Sequence, residues 1–440
     1  MNASPGAIAL VLFAGGCASS HAGPGLADAS TADAPDEADA GSDGGALARD
    51  ASEPDAAVGP VCDPSMPTQC FVVTASTNLS EVRSARTTVY AIVAYTSGAI
   101  VMTSEPSGVA GAGMRIELQR LTVDGARRRT LLEDTEPDVA PWLIDGALAF
   151  ASGSVDVAWR RAIRAPDGRI TAIESRYVAD AEGVARRVDG IARAYPTGED
   201  PAPVGVALAS LGPDAAIASA MPRGVTAGPI SDPERIRIES GLTPNAPFAA
   251  SGAAGAMWLA WAEDVDRYVT TVRVARVGPD GAATHALVFD RAELGGRRAA
   301  LLADDAAAWV ARFEQREGAL RESWIRVAHL GNDLARLEVD RWFAGWGGID
   351  PSGIAMVRFH GRPTLVWVAI DTRYGRPALF VAPVPDEACG VPGAAAVALL
   401  PAHRGTGLVA AVHDDDLWVG LSGDSDYAEV YRMTTCDAAP

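Results

Sequence analysis

The 440 residues contain no lysine, so all 37 basic residues are arginine. That absence excludes a Walker-type phosphate loop, a Schiff-base lysine and a Ser-Lys catalytic pair. Positive charge is scarce altogether. Fifty-six Asp and Glu set the formal net charge at −19, which disfavours nucleic acid, because phosphate binding needs clustered cations. Six histidines are scattered, and the four cysteines beyond Cys17 form no CxxC and have no His at metal-ligand spacing, so neither a metal nor a cofactor is expected. Gly-x-Ser-x-Gly, HExxH and Gly-x-Gly-x-x-Gly elements are missing too, and no catalytic residue can be named from motifs. Long hydrophobic runs are also missing: the first, Ile8–Phe13, falls short of the roughly 20 residues that a membrane span needs. What the chain does have is a hydrophobic fraction of 48% with 21% charged residues, enough for a sizeable core.

The apolar run Ile8-Ala9-Leu10-Val11-Leu12-Phe13 is followed by Ala14-Gly15-Gly16-Cys17. It has the length of a signal-peptide core ahead of small residues at a cleavage site. Ending on Cys17, the segment resembles a bacterial lipoprotein signal, with Ala14 where Leu is usual. The resemblance implies that residues 1–17 are a signal segment, that Cys17 is lipidated, and that the protein reaches the membrane through this anchor. An ordinary secretory signal cut nearby is the competing reading.

Residues 18–61 are mostly Ala, Asp, Gly, Ser and Pro, with nine acids and a single base, Arg49. Such a stretch cannot bury enough apolar area to offset its ordering entropy, so it is expected to be a disordered tether. As a flexible coil it would reach roughly 35–40 Å.

From residue 71 onward the pattern becomes short runs of Val, Ile, Leu, Ala and Trp bounded by Gly, Pro, Asp and Ser. That is strand-and-turn punctuation, and an all-β fold is expected over residues 62–440. The runs recur in units: Val89–Tyr95 with Ala99–Thr103, Asp138–Ile144 with Ala147–Ser152 across a turn at Asp145-Gly146, and Val204–Ser210 with Ala215–Ala220. Four more follow, opening at Pro247, Ala299, Gly353 and Gly407, with Arg336–Asp340 as the fourth run of the fifth unit. Seven units at a period of about 50 residues, with four runs each, resemble the β-propeller superfamily. The resemblance implies seven four-stranded blades. Phe71–Ala75 precedes the first unit, while the last supplies only three runs. Placing that strand in the last blade would close the ring from both chain ends and remove an exposed edge.

Beyond Cys17 the cysteines are Cys62, Cys70, Cys389 and Cys436. An even count in an exported chain points to two disulfides. Ring closure favours Cys70–Cys436, and Cys389, expected at the equivalent turn of the sixth unit, is left to pair with Cys62. The local pairing, Cys62–Cys70 with Cys389–Cys436, stays open.

In propellers, ligands commonly meet loops between second and third strands. Those loops carry Glu263, Asp264 and Asp266 in the fourth unit and Arg373 and Arg376 in the sixth. The segment Arg341–Gly348, between the fifth and sixth units, sets Trp342, Phe343 and Trp346 among small residues. Aromatic faces there could meet a sugar ring or a partner protein, although a plug between blades explains them as well. His413-Asp414-Asp415-Asp416 looks like a metal or acid–base cluster but reads more simply as a solvated hairpin. The expected role is a non-enzymatic binding or scaffold protein on the cell envelope, at the outer membrane or cell surface, or otherwise periplasmic or secreted. Its ligand would be a protein or a glycan. The alternative is an envelope hydrolase or lyase for glycans or lactones, using carboxylates at the propeller mouth.

Overall fold

The structure, a computed structural model, describes residues 11–12, 71–79, 87–106, 113–124, 127–136, 144–151, 153–164, 170–180, 186–187, 193–197, 205–211, 214–242, 244–265, 269–293, 298–316, 322–345, 353–371, 376–384, 389–390, 398–399, 405–423 and 428–435. By its contacts the chain divides into residues 18–61 and the remainder, and every described residue belongs to the remainder.

The described residues form an all-β fold of seven sheets, numbered here in chain order. Sheet 1 runs Thr88–Tyr95, Gly98–Pro106, Met114–Thr122 and Arg127–Glu136. Sheet 2 contains Ile144–Ala151, Ser154–Arg164 and Ile170–Asp180, with Arg193–Thr197 outside them. Sheet 3 starts at Val206–Leu211, sheet 4 at Pro244–Ala253, sheet 5 at Ala299–Ala303 and sheet 6 at Ile354–Phe359. Sheet 7 runs Gly405–His413, Asp416–Gly423 and Ala428–Thr435, and its fourth strand is Phe71–Asn78 from the other end of the chain. Phe71 pairs antiparallel with Thr435 and Asn78 with Glu429. Two residues of the N-terminal apolar run, Val11 and Leu12, pair with Ala250 and Ala249 in sheet 4.

The first strand of each sheet lies against the first strands of the sheets before and after it, and that of sheet 7 lies against that of sheet 1. The arrangement is propeller-like. It explains the composition of these strands. They are covered on both faces, so they read as unbroken apolar runs rather than alternating ones: Thr88–Tyr95 is buried throughout. They also approach one another closely, which favours Ala and Gly. A Cβ on Gly205 would come within 2.9 Å of the Phe248 ring, and one on Gly353 within 2.5 Å of Leu408 Cβ.

Second strands carry the bulk. Trp159, Trp258, Trp367 and Trp418 sit there with no more than 1% of their surface exposed. Their apolar clusters run between sheets. One joins sheets 4 to 7, a second joins sheets 1 to 4, and a third joins sheet 7 to sheet 1 through Val89, Val409, Trp418 and Val430. Each such side chain contributes roughly 1.5–3 kcal/mol of burial. Two-residue hairpins link the first to the second strand in sheets 4 and 6. Ala254-Gly255 and His360-Gly361 both have positive φ, the turn that matches the right-handed strand twist.

Three expectations are corrected. Asp145-Gly146 is not a turn: both lie inside the first strand of sheet 2, Ile144–Ala151. Sheet 1 comes close there: a Cβ on Gly146 would stand 2.6 Å from Met102 Cε. The fourth strand of sheet 5 is Arg341–Gly345, paired with Ser323–Val327, so the start of the expected aromatic loop is strand, while Arg336–Asp340 lies in the turn before it. Cys389 occupies no turn of sheet 6 but a two-residue strand parallel to Trp342–Phe343 on the edge of sheet 5. Cys17, Cys62, Cys70 and Cys436 lie outside the described residues.

Candidate functional site

Of the residues expected at a ligand face, Glu263, Asp264, Trp342, Phe343 and Arg376 are among those described, on sheets 4, 5 and 6. Glu263 ends the second strand of sheet 4 with no exposed surface. Its Oε1 accepts from Trp261 Nε1 at 2.8 Å and its Oε2 from Arg273 Nε at 2.8 Å. Asp264 follows it, half-buried. Trp342 and Phe343 lie in the fourth strand of sheet 5, at the register of Arg326 and Ile325. Arg376 opens the third strand of sheet 6 opposite Asp371. Asp266, Trp346 and Arg373 lie outside the described residues.

The second and third strands also carry a set of arginine–carboxylate groups, buried or partly buried. In sheet 1, Arg115 pairs with Glu105 and Glu117, and Gln119 donates to Glu117 at 2.5 Å. In sheet 2, Arg176 Nε donates to Glu174 at 2.8 Å, and Arg160 Nε lies 3.9 Å from the same carboxylate. In sheet 5, Arg312 donates to Glu314 at 2.7 Å and Arg326 to Asp340 at 2.6 Å. The guanidiniums of Arg312, Arg326 and Arg336 all stack around the Phe289 ring, 5.0–5.7 Å from its centroid. These groups also cross between sheets. Arg160 donates to the Gly205 and Ala220 carbonyls of sheet 3, and Arg312 to the Thr270 and Asp290 carbonyls of sheet 4. A planar guanidinium offers five donors in a fixed fork, which suits it to reach two strands at once.

Asp145 differs from all of these. It is fully buried, and Oδ2 accepts from the Val206 backbone N–H of sheet 3 at 3.0 Å, while Oδ1 has no hydrogen-bond partner. Burial pushes its carboxyl up to about 7, against the Val206 and Gly146 amides and the positive charges of Arg298 and Arg160, which pull the other way. Arg298 precedes the first strand of sheet 5, which is not a neighbour of sheet 2. A carboxyl in that state can hold a proton near neutral pH and deliver it, the property of a general acid. Asp156, in the second strand of the same sheet, is pushed up to about 6 by burial alone. Motif reading missed Asp145 because Asp-Gly is turn grammar.

His329 and His360 are held in contacts between strands and turns. His329 stacks on Trp309 at 3.7 Å and meets Glu338 at 2.9 Å. His360 pairs with Asp415 at 2.9 Å, and Arg432 with Asp416 at 2.9 Å, so the acidic run after His413 is split among separate ion pairs at a hairpin. Among the described residues no three His, Cys, Asp or Glu side chains are grouped to hold a metal ion, and no helix is long and apolar enough to cross a membrane. A groove of about 440 Å³ opens between sheets 3 and 4, with Leu211, Ile236, Met257 and Val277 on its apolar wall and Asp214 and Arg235 among its polar residues.

No protein-family model matches this sequence, and no curated protein matches it either. Among solved structures it is similar to Trypanosoma rangeli sialidase, with a TM-score of 0.40 and 9% identity over 83% of this chain and 58% of the sialidase. It is also similar to an ancestral GH74 enzyme, with a TM-score of 0.45 and 13% identity over 84% of this chain and 52% of that enzyme. The chain thus spans little more than half the length of either.

Proposed function

We propose that this protein is an exported, seven-bladed β-propeller of the bacterial cell envelope, closed by Phe71–Asn78 and anchored through a lipid on Cys17 with residues 18–61 as tether. Its role on this reading is to hold a protein or glycan of the envelope at the end of the ring where Asp145 sits. The observation behind binding without catalysis is the engagement of the second- and third-strand carboxylates: Glu105, Glu117, Glu174, Glu263 and Glu314 each meet an arginine. A carboxylate so held already has its partner within the fold and is engaged in joining strands. The register of Phe71 with Thr435, continued by one residue, favours a Cys70–Cys436 bond at the closing strand.

A second reading, hydrolysis of an envelope glycan, has one specific observation in its favour. Asp145 is a carboxyl that can stay protonated near neutrality. Glycoside cleavage by two carboxyls needs a second one about 5–10 Å away. Incubating the full exported chain with envelope polysaccharides separates the two readings. Retention without new reducing ends is the result expected for binding. Release of reducing ends that is lost in Asp145→Asn would establish hydrolysis. Neither retention nor release, with a protein captured instead, would remove the glycan from both.

A further inference from the structure

We propose that Asp145 is a proton-controlled latch between sheets 2 and 3: with its carboxyl protonated the seam is closed at the end where the first strands begin, and ionisation loosens it. The latch regulates how firmly two neighbouring sheets are joined, and it stands whether the protein binds or cleaves its ligand.

The geometry is that of a strut with one free end. Asp145 is on the first strand of sheet 2, and the N–H that it accepts from, Val206, opens the first strand of sheet 3. The two strands are direct neighbours. Asp145 Oδ1 lies buried with no partner. In the protonated carboxyl Oδ2 is the carbonyl oxygen that accepts from Val206 and Oδ1 carries the hydroxyl, so one neutral polar group stays unpaired, at far lower cost than an ionised oxygen removed from water.

Among the described residues the charged and titratable groups around it are few. Arg160 is its cross-strand partner in sheet 2, but its Nη1 is directed at the Gly205 and Ala220 carbonyls. Glu174 stands 3.9 Å beyond Arg160 Nε and accepts from Arg176 and from Ser219 of sheet 3. From sheet 1, Tyr90 and Met102 pack at Gly146, and the Tyr90 hydroxyl is 2.8 Å from Ser104 Oγ. Arg298 of sheet 5 adds positive charge. None of these supplies Oδ1 with a hydrogen bond in the closed seam. Ionisation therefore leaves a buried anion whose remaining route to solvation is separation of the two strand ends.

The sign follows from linkage. The closed seam holds the proton up to about pH 7, whereas an open seam returns Asp145 to the ordinary carboxylate range near 4. Opening thus releases a proton between those limits, and the closed state weakens as pH rises through that window.

Hydrogen exchange of the intact exported chain, read on peptides and divided by the intrinsic exchange rate, tests this directly. Protection of residues 205–211 is expected to fall roughly tenfold per pH unit between about pH 5 and 6.5 and to level off near 7. Asp145→Asn, which keeps an oxygen for the Val206 N–H and cannot ionise, is expected to abolish that slope. Arg298→Gln removes a charge that favours the anion, so levelling off should move to higher pH. Residues 354–359 in sheet 6 are the internal reference and should show no comparable slope. Equal slopes in the wild type and Asp145→Asn would overturn the latch, as would a flat wild-type profile. Should the Asn variant fail to fold, equal wild-type slopes in 205–211 and 354–359 would overturn it just as well.

Discussion

Between sheets 2 and 3, Arg160 reaches two carbonyls of the neighbouring sheet, Arg176 reaches the Ile230 carbonyl at 2.7 Å, and Ser219 donates to Glu174 at 2.7 Å. Between sheets 6 and 7 the contact is of another kind. Leu408 fills the space that Gly353 leaves open, and Phe71 packs on Phe359 with ring centroids 5.4 Å apart. The two seams join neighbouring sheets with opposite chemistry. The apolar seam draws on area removed from water and tolerates any register that keeps its shape. The charged seam gains little net stability, since desolvating its ions offsets their attraction. What it adds is direction: an arginine aimed at two particular carbonyls accepts one register only. In a chain without lysine this task falls wholly to arginine.

The largest expected effect comes from removing the element that joins the chain ends. Deleting residues 71–78 strips the last sheet of its fourth strand and removes Phe71 from the apolar seam, and should abolish cooperative thermal unfolding. Deleting residues 18–61, which are too poor in apolar side chains to add a core, should leave the melting temperature unchanged.

Next in size is the charged seam. Arg160→Ala leaves the buried Glu174 short of a cation and frees two buried carbonyls. It should destabilise by about 3–5 kcal/mol, read by denaturant unfolding. In the apolar seam, Leu408→Ala opens a cavity beside Gly353 and should lose about 2–5 kcal/mol. Here the comparison sharpens, because this loss should be the same at pH 5 and pH 8 and at low and high salt. The smallest effect belongs to Arg358 and Asp304, a pair 2.8 Å apart that joins sheets 5 and 6 but is about a third exposed on both sides. Arg358→Gln should shift stability by less than about 1 kcal/mol, and that shift should vanish at 1 M salt.

Much of the frame is legible in the sequence. The runs Met257–Ala262, Thr364–Ile370 and Leu417–Ser422 each carry a Trp, and each falls within a second strand that the structure confirms. Such strands announce themselves because both faces are covered. Outer strands, covered on one side only, do not, and the fourth strand of sheet 5 was expected five residues too early. Asp145 was hidden for a different reason. Locally Asp-Gly signals a turn, and only Met102 and Val206, 43 and 61 residues away, make it strand. The arginine groups left a fainter trace. Glu174 and Arg176, like Arg312 and Glu314, stand two residues apart, which on a strand places them on one face. Opposite charges so spaced within an apolar run are a local sign of an internal ion pair.

The central claim is that the two ends of the chain meet in sheet 7. Asn78 and Glu429 are cross-strand partners there, so cysteines at both positions should bond across the strand pair. In Asn78→Cys with Glu429→Cys, mapping of unreduced peptides is predicted to recover residue 78 linked to residue 429. A soluble, folded double variant in which both new thiols stay free and open to alkylation would contradict the closure.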